Sequence, residues 1–189
     1  GALAALMTKT NVIGGVYGKE IPPVIKFRKG YENGAALVNP KVKVLGTYID
    51  SFTDPVKGGE VAKSQMAENA DVIFGAGGKT GNGALIAAKQ KGVYAIGVDT
   101  DQYYTLPEAK DVLISSAMKR VDVAVYTAIK SAVEGKFKGG TMLFTAANDG
   151  VGLAPFHDLD SKVPAEVKAK LNEIAKGLKD GSIKTNVKL

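Results

Sequence analysis

Asp99, Asp101 and Gln102 crowd the end of an apolar run in IGVDTDQ, and carboxylates beside a carboxamide form a donor and acceptor set suited to sugar hydroxyls. Asp99 by itself is open to three readings: a catalytic or metal-binding carboxylate, an acceptor for hydroxyls, or the cap of the next turn. Its neighbours Asp101 and Gln102 favour hydroxyl recognition. Phe52 stands between Ser51 and Thr53 in the polar stretch SFTDP, where no amphipathic pattern asks for a ring. It either stacks on a flat guest or packs under the helix that follows. Asp54 shares that stretch and joins Phe52 as a candidate ligand group. Lys119 opens a helical segment, where a cation opposes the helix dipole, so an anionic or hydroxyl partner is favoured over a local benefit. Gly77 and Gly78, in DVIFGAGGKTGNG, let bare backbone approach something that is not protein.

Other chemistries fail on spacing. Gly78, Lys79 and Thr80 suggest a phosphate loop, but the glycine that such a loop needs five positions before Gly78 is Ile73. A dinucleotide fingerprint from Gly75 needs a glycine at its sixth position, where Thr80 stands. Neither a Ser-His-Asp pattern nor metal-ligand spacing is present. His157, the only histidine, sits in a loop after Pro155 and Phe156, and a catalytic role for it is disfavoured. These residues describe a binder, not an enzyme, with no cofactor and no metal.

Such groups need a scaffold that delivers them together. Val72, Ile73 and Phe74 form an apolar run without polar alternation, the mark of a strand buried on both faces in a parallel sheet. Similar strands are expected at Val12–Tyr17, Val42–Ile49, Val93–Val98 and Val112–Ala117. Helices are expected from Pro22 to about Val38, from about Val56 to Asn69, and from Ala84 to Lys91 with Gly92 as its terminator. A further helix runs from about Arg120 to Glu134, with Val121, Val125, Ala128 and Ala132 on one stripe, and another spans about Pro164–Leu178. Strand and helix recurring at close intervals imply right-handed crossovers and an α/β parallel sheet with helices on both faces. Ligands of such sheets lie outside the strands' carboxyl ends, and there the candidate groups fall, with the next helix after Gly78 expected to aim free N–H groups at them.

Composition narrows the classes further. With 189 residues, 45% of them hydrophobic, the chain can bury a core. Its net charge of +6 comes from scattered lysines, densest on a helix face near the end, which reads as a solvated surface and not a nucleic-acid patch. There is no cysteine, hence no disulfide framework, and no stretch approaches the roughly 18 apolar residues of a membrane helix. The opening GALAALMT reads as the second half of an amphipathic helix without a cap.

The ordered strings EIPPVIKFRKGYENGA, SFTDPVKG, ADVIFGAGGKTGNG, YAIGVDTDQ, SAMKRVDVAVY and GKFKGGT with GVGLAPF resemble the basic membrane protein family, substrate-binding proteins of ABC importers similar to the purine nucleoside receptor of spirochaetes. The resemblance implies a two-lobed type I periplasmic-binding-protein fold that closes over a nucleoside without altering it. It implies that Phe52 stacks on the base, that Asp99 accepts from the ribose diol with Lys119 reinforcing the sugar contacts, and that Gly77 and Gly78 admit the guest. It implies an ABC permease as partner and an extracytoplasmic, lipid-anchored protein. Residues 1–117 would be the second lobe, and 118–189 a crossover and return segment belonging partly to a first lobe. A family chain would carry a lipoprotein signal and that lobe ahead of Gly1, and without the lobe the chain is expected to self-associate. A ligand-sensing domain of a transcriptional regulator with the same fold is the alternative.

Overall fold

The computed structural model describes residues 1–187. The apolar runs become strands β1 (Val12–Tyr17), β2 (Lys43–Tyr48), β3 (Val72–Ala76), β4 (Tyr94–Asp99) and β5 (Leu113–Lys119). They lie parallel in the order β2-β1-β3-β4-β5, and a short β6 (Val151–Leu153) adds antiparallel to β5 at the edge. The sequence pattern does not announce β6, whose three residues are too few for a periodicity to register. Every residue of β3 is buried, as an apolar run inside a two-faced sheet must be.

Helices α1 (Ala2–Met7), α2 (Pro22–Val38) and α7 (Ala165–Asp180) cover one face, where Leu3, Tyr31, Leu171 and Ile174 close over Ile13, Tyr17 and Phe74. On the other face α3 (Pro55–Ala67) and α4 (Lys79–Lys91) bring Ala62, Met66, Leu85 and Ala88 onto Val16, Ile73 and Ala95. A short α5 (Gln102–Thr105) follows β4, and α6 (Val121–Val133) follows β5.

Local chemistry sets the helix ends. Pro22 occupies the first turn of α2, where its missing N–H costs nothing. Asp54 caps α3 by accepting the Lys57 N–H at 2.9 Å. Gly92 ends α4 in the left-handed conformation, at φ 74°. Two other glycines permit α3 and α4 to touch backbone to backbone: a β-carbon on Gly58 would run into the Thr80 carbonyl, and one on Gly83 into the Pro55 carbonyl.

The last third of the chain divides. The α7 residues Val167, Leu171 and Ile174 are buried in the core shared with α1 and α2. On α6 nothing is buried, so the expected stripe of Val121, Val125, Ala128 and Ala132 has no covering partner among the described residues. Thr141–Thr145 is irregular, and Met142 and Leu143 are exposed. Among the described residues no helix is long and apolar enough to cross a membrane.

Candidate functional site

Because β1 to β5 run parallel, the segments leaving their carboxyl ends share one rim of the sheet. The Phe52 loop follows β2 and reaches across the end of β1: a β-carbon on Gly18 would collide with the Phe52 ring. The ring is partly buried against the core and lies over the Gly18 backbone, which leaves both stacking and packing as its work. Gly77, at the end of β3, is buried, and a β-carbon there would sit 2.7 Å from the Gly18 nitrogen. Gly78 is exposed with φ 58°, a conformation that glycine adopts without strain.

Several N–H groups of the first turn of α4 are already used within the protein, which narrows the expectation of free N–H groups aimed at this rim. The Thr80 N–H donates to the Phe52 carbonyl at 3.3 Å, Gly81 to the Gly77 carbonyl at 3.3 Å, and Asn82 to the Gly78 carbonyl at 3.0 Å. Fully buried Thr80 also donates its hydroxyl to the Ser51 carbonyl at 2.9 Å and accepts the Asp54 N–H at 3.0 Å. The helix start therefore holds the 51–54 loop in place. Asp54 caps α3 through its Oδ1, which accepts the Lys57 N–H.

At the other end of the rim, Asp99 closes β4 with φ 65°, left-handed for a residue that has a side chain. The Lys119 ammonium, one strand over, stands 2.9 Å from its Oδ1. That oxygen is sheltered from water, with the ammonium as its close neighbour. Both side chains remain about half exposed, at 46% for Asp99 and 50% for Lys119. Asp101 and Gln102 are employed differently. Asp101 caps α5 through the Tyr103 N–H at 3.3 Å, and its Oδ2 lies 2.7 Å from His157 Nε2. Gln102 is buried: its carbonyl accepts the Val98 N–H at 2.8 Å, its amide donates to Asn82 at 2.8 Å, and its own N–H reaches Ser116 Oγ at 3.1 Å. It is an internal strut, because its polar groups are already consumed within the fold.

The structure thus gathers Phe52, Gly77, Gly78, Asp99 and Lys119 on one rim, with β3 lying between the strands that carry Gly18 and Asp99. Two spacings of about 4.8 Å separate those strands. Sequence reading missed Thr80, Asn82, Ser116 and His157 as supports. Ser115 and Ser116 inside an apolar strand were a usable signal, since buried hydroxyls must find partners. Among the described residues no group of acidic or histidine side chains is arranged to hold a metal.

Comparison with known proteins agrees with this architecture. The profile of the Bmp family, described as ABC transporter substrate-binding protein PnrA-like, matches residues 1–186. The chain is 37% identical over an alignment of 198 positions to a CD4+ T-cell-stimulating antigen of Listeria monocytogenes, covering 97% of this chain and 55% of that protein. It is 33% identical to the ABC transporter nucleoside-binding protein BmpA of Lactococcus lactis, covering 92% of this chain and 54% of that one. It spans about half the length of both relatives. The crystal structure of an ABC transporter solute-binding protein from Aeropyrum pernix superposes with a TM-score of 0.81 at 25% identity, covering 97% of this chain and 62% of that one. With the profile matched over nearly the whole chain and the parallel sheet superposing on a solute-binding protein, this chain belongs to the Bmp family of PnrA-like ABC transporter substrate-binding proteins.

Proposed function

We propose that the rim of Phe52, Gly77, Gly78, Asp99 and Lys119 is this chain's share of a cleft that reversibly binds a purine nucleoside or a similar sugar-bearing small molecule for an ABC importer. The observation that carries this reading is the Asp99–Lys119 pair at the strand ends, 2.9 Å apart and with both side chains about half exposed. A sugar diol donates to the exposed part of the Asp99 carboxylate, and the lysine keeps it charged while donating to a sugar oxygen. Phe52, across the end of β3, offers a flat surface to a base, a stacking contact worth roughly 1–3 kcal/mol in nucleic-acid complexes. The nucleoside-binding relative in Lactococcus lactis supports the choice of guest.

In this role the protein works outside the cytoplasm, hands its guest to a membrane permease and leaves the guest's bonds intact. The regulator alternative loses ground to the family assignment. Asp99→Ala and Phe52→Ala, made in the protein at its natural length, should each weaken guanosine, adenosine or inosine binding by about 1 kcal/mol or more. Isothermal titrations unchanged in both variants would remove the assignment. Release of free base from an incubated nucleoside, seen by chromatography, would replace transport with catalysis.

A further inference from the structure

We propose that His157 is a positioning residue for Asp99, acting through Asp101 as a clamp on the loop that follows β4; the proposal rests on the reading of Asp99 as a ligand carboxylate. Asp99 is left-handed, and such a backbone state persists only where its surroundings over-determine it. On one side they do: the β4–β5 pairing and the Gln102 side chain on the Val98 N–H fix the strand end. On the other side the load is shared between Gln102, whose N–H is held by Ser116 Oγ, and Asp101. Its Oδ1 takes the Tyr103 N–H, and its Oδ2 meets His157 Nε2 at 2.7 Å.

The histidine is itself held from several directions. Its ring stacks on Tyr103 with centroids 4.1 Å apart and planes 19° apart, and meets Tyr104 edge-on at 5.2 Å. The Tyr103 hydroxyl donates to Asp158 Oδ2 at 2.7 Å, and Lys110 Nζ stands 6.0 Å over the Tyr103 ring. His157 too is left-handed, at φ 46°. Residues 101–104 are therefore tied to 157–158, with Asp101 two positions after the left-handed Asp99. The imidazole and the Asp101 carboxylate are only 15% and 19% exposed, so water competes weakly for their bond. Without the imidazole, Asp101 keeps only its local cap and the turn from Asp99 is held at its far end by Gln102 alone, which loosens the Asp99 carboxylate against Lys119.

The test is a double-mutant cycle read by calorimetric titration of guanosine into the protein at its natural length, together with hydrogen exchange on the unliganded protein. His157→Ala should lower affinity about five- to tenfold, and His157→Gln, whose amide can reach Asp101, should recover most of it. In an Asp99→Ala background His157→Ala should change affinity little further, because the residue acts only through Asp99. Amides of residues 99–105 should exchange faster in His157→Ala while those of 77–83 keep their rates. Additive losses in the cycle without rescue by Gln would show a merely structural histidine and overturn the proposal, as would unchanged exchange at 99–105. If the unaltered protein binds no nucleoside, the functional reading fails by itself, and the exchange at 99–105 then decides the clamp alone.

Discussion

Helices α6 and α7 carry the same kind of message in sequence and meet opposite fates. Both present apolar residues at helical spacing. On α7 that stripe is sealed: Val167 is 5% exposed, Leu171 9% and Ile174 8%. On α6 it lies open, from Val125 at 52% to Ile129 at 60% and Val133 at 84%, and Phe137, Met142 and Leu143 extend the open surface beyond the helix. An amphipathic pattern states that a face seeks cover and says nothing of what covers it. For α7 the cover is α1, α2 and the sheet. Contiguous apolar surface of the α6 kind marks an interaction site.

The contrast can be broken by substitution. Leu171→Ala should destabilise the fold by about 2–5 kcal/mol in chemical denaturation, because it opens a cavity in packed surroundings. Ile129→Ala should stay within about 0.5 kcal/mol, having little in this chain to unpack. Equal losses for the two would mean that α6 is buried after all. The bare face should instead show itself in association: the 189-residue chain should sediment as more than a monomer, and Val125→Asp with Ile129→Asp should shift it toward one. A clean monomer of the unaltered chain would refute this.

The smallest effect sharpens the comparison by pH. Burial raises the Glu32 carboxyl on α2, but bonds from Lys29 and Arg28, each 2.8 Å long, outweigh it and hold the group below its ordinary 4.5. On α6 the hydrogen bond from Arg120 lowers Asp122 below its ordinary 3.8. Each depressed group contributes stability above its ordinary value, and that contribution is lost as pH falls through the lower folded value. The half-buried Glu32 should contribute more than the solvent-screened Asp122. Glu32→Gln should accordingly flatten the acid limb of a plot of Tm against pH more than Asp122→Asn does.

Much of the fold was legible because its signals are local. Five apolar runs became five parallel strands, and Pro22 and Gly92 mark helix ends for reasons that lie within one turn of chain. The site was legible only as a set of candidates. Phe52, Asp99 and Lys119 fall where strands end, and parallel strands bring their ends to one rim. The separation of ligand groups from struts was not legible, because it depends on partners remote in sequence: Gln102 on Ser116 and Asn82, the Phe52 loop on Thr80, Asp101 on His157.

Periodicity, turn chemistry and the carboxyl-edge rule were enough to determine from sequence alone that this chain forms a parallel α/β sheet with polar groups along one edge. Tertiary structure alone decided that Thr80 in the first turn of α4 holds a loop, that Gln102 is internal, that Lys119 pairs with Asp99, and that α7 is covered while α6 is bare. The physical reason is that a hydrogen-bonding group or an apolar face declares its need in sequence, whereas whether that need is met depends on which distant segments the fold brings against it.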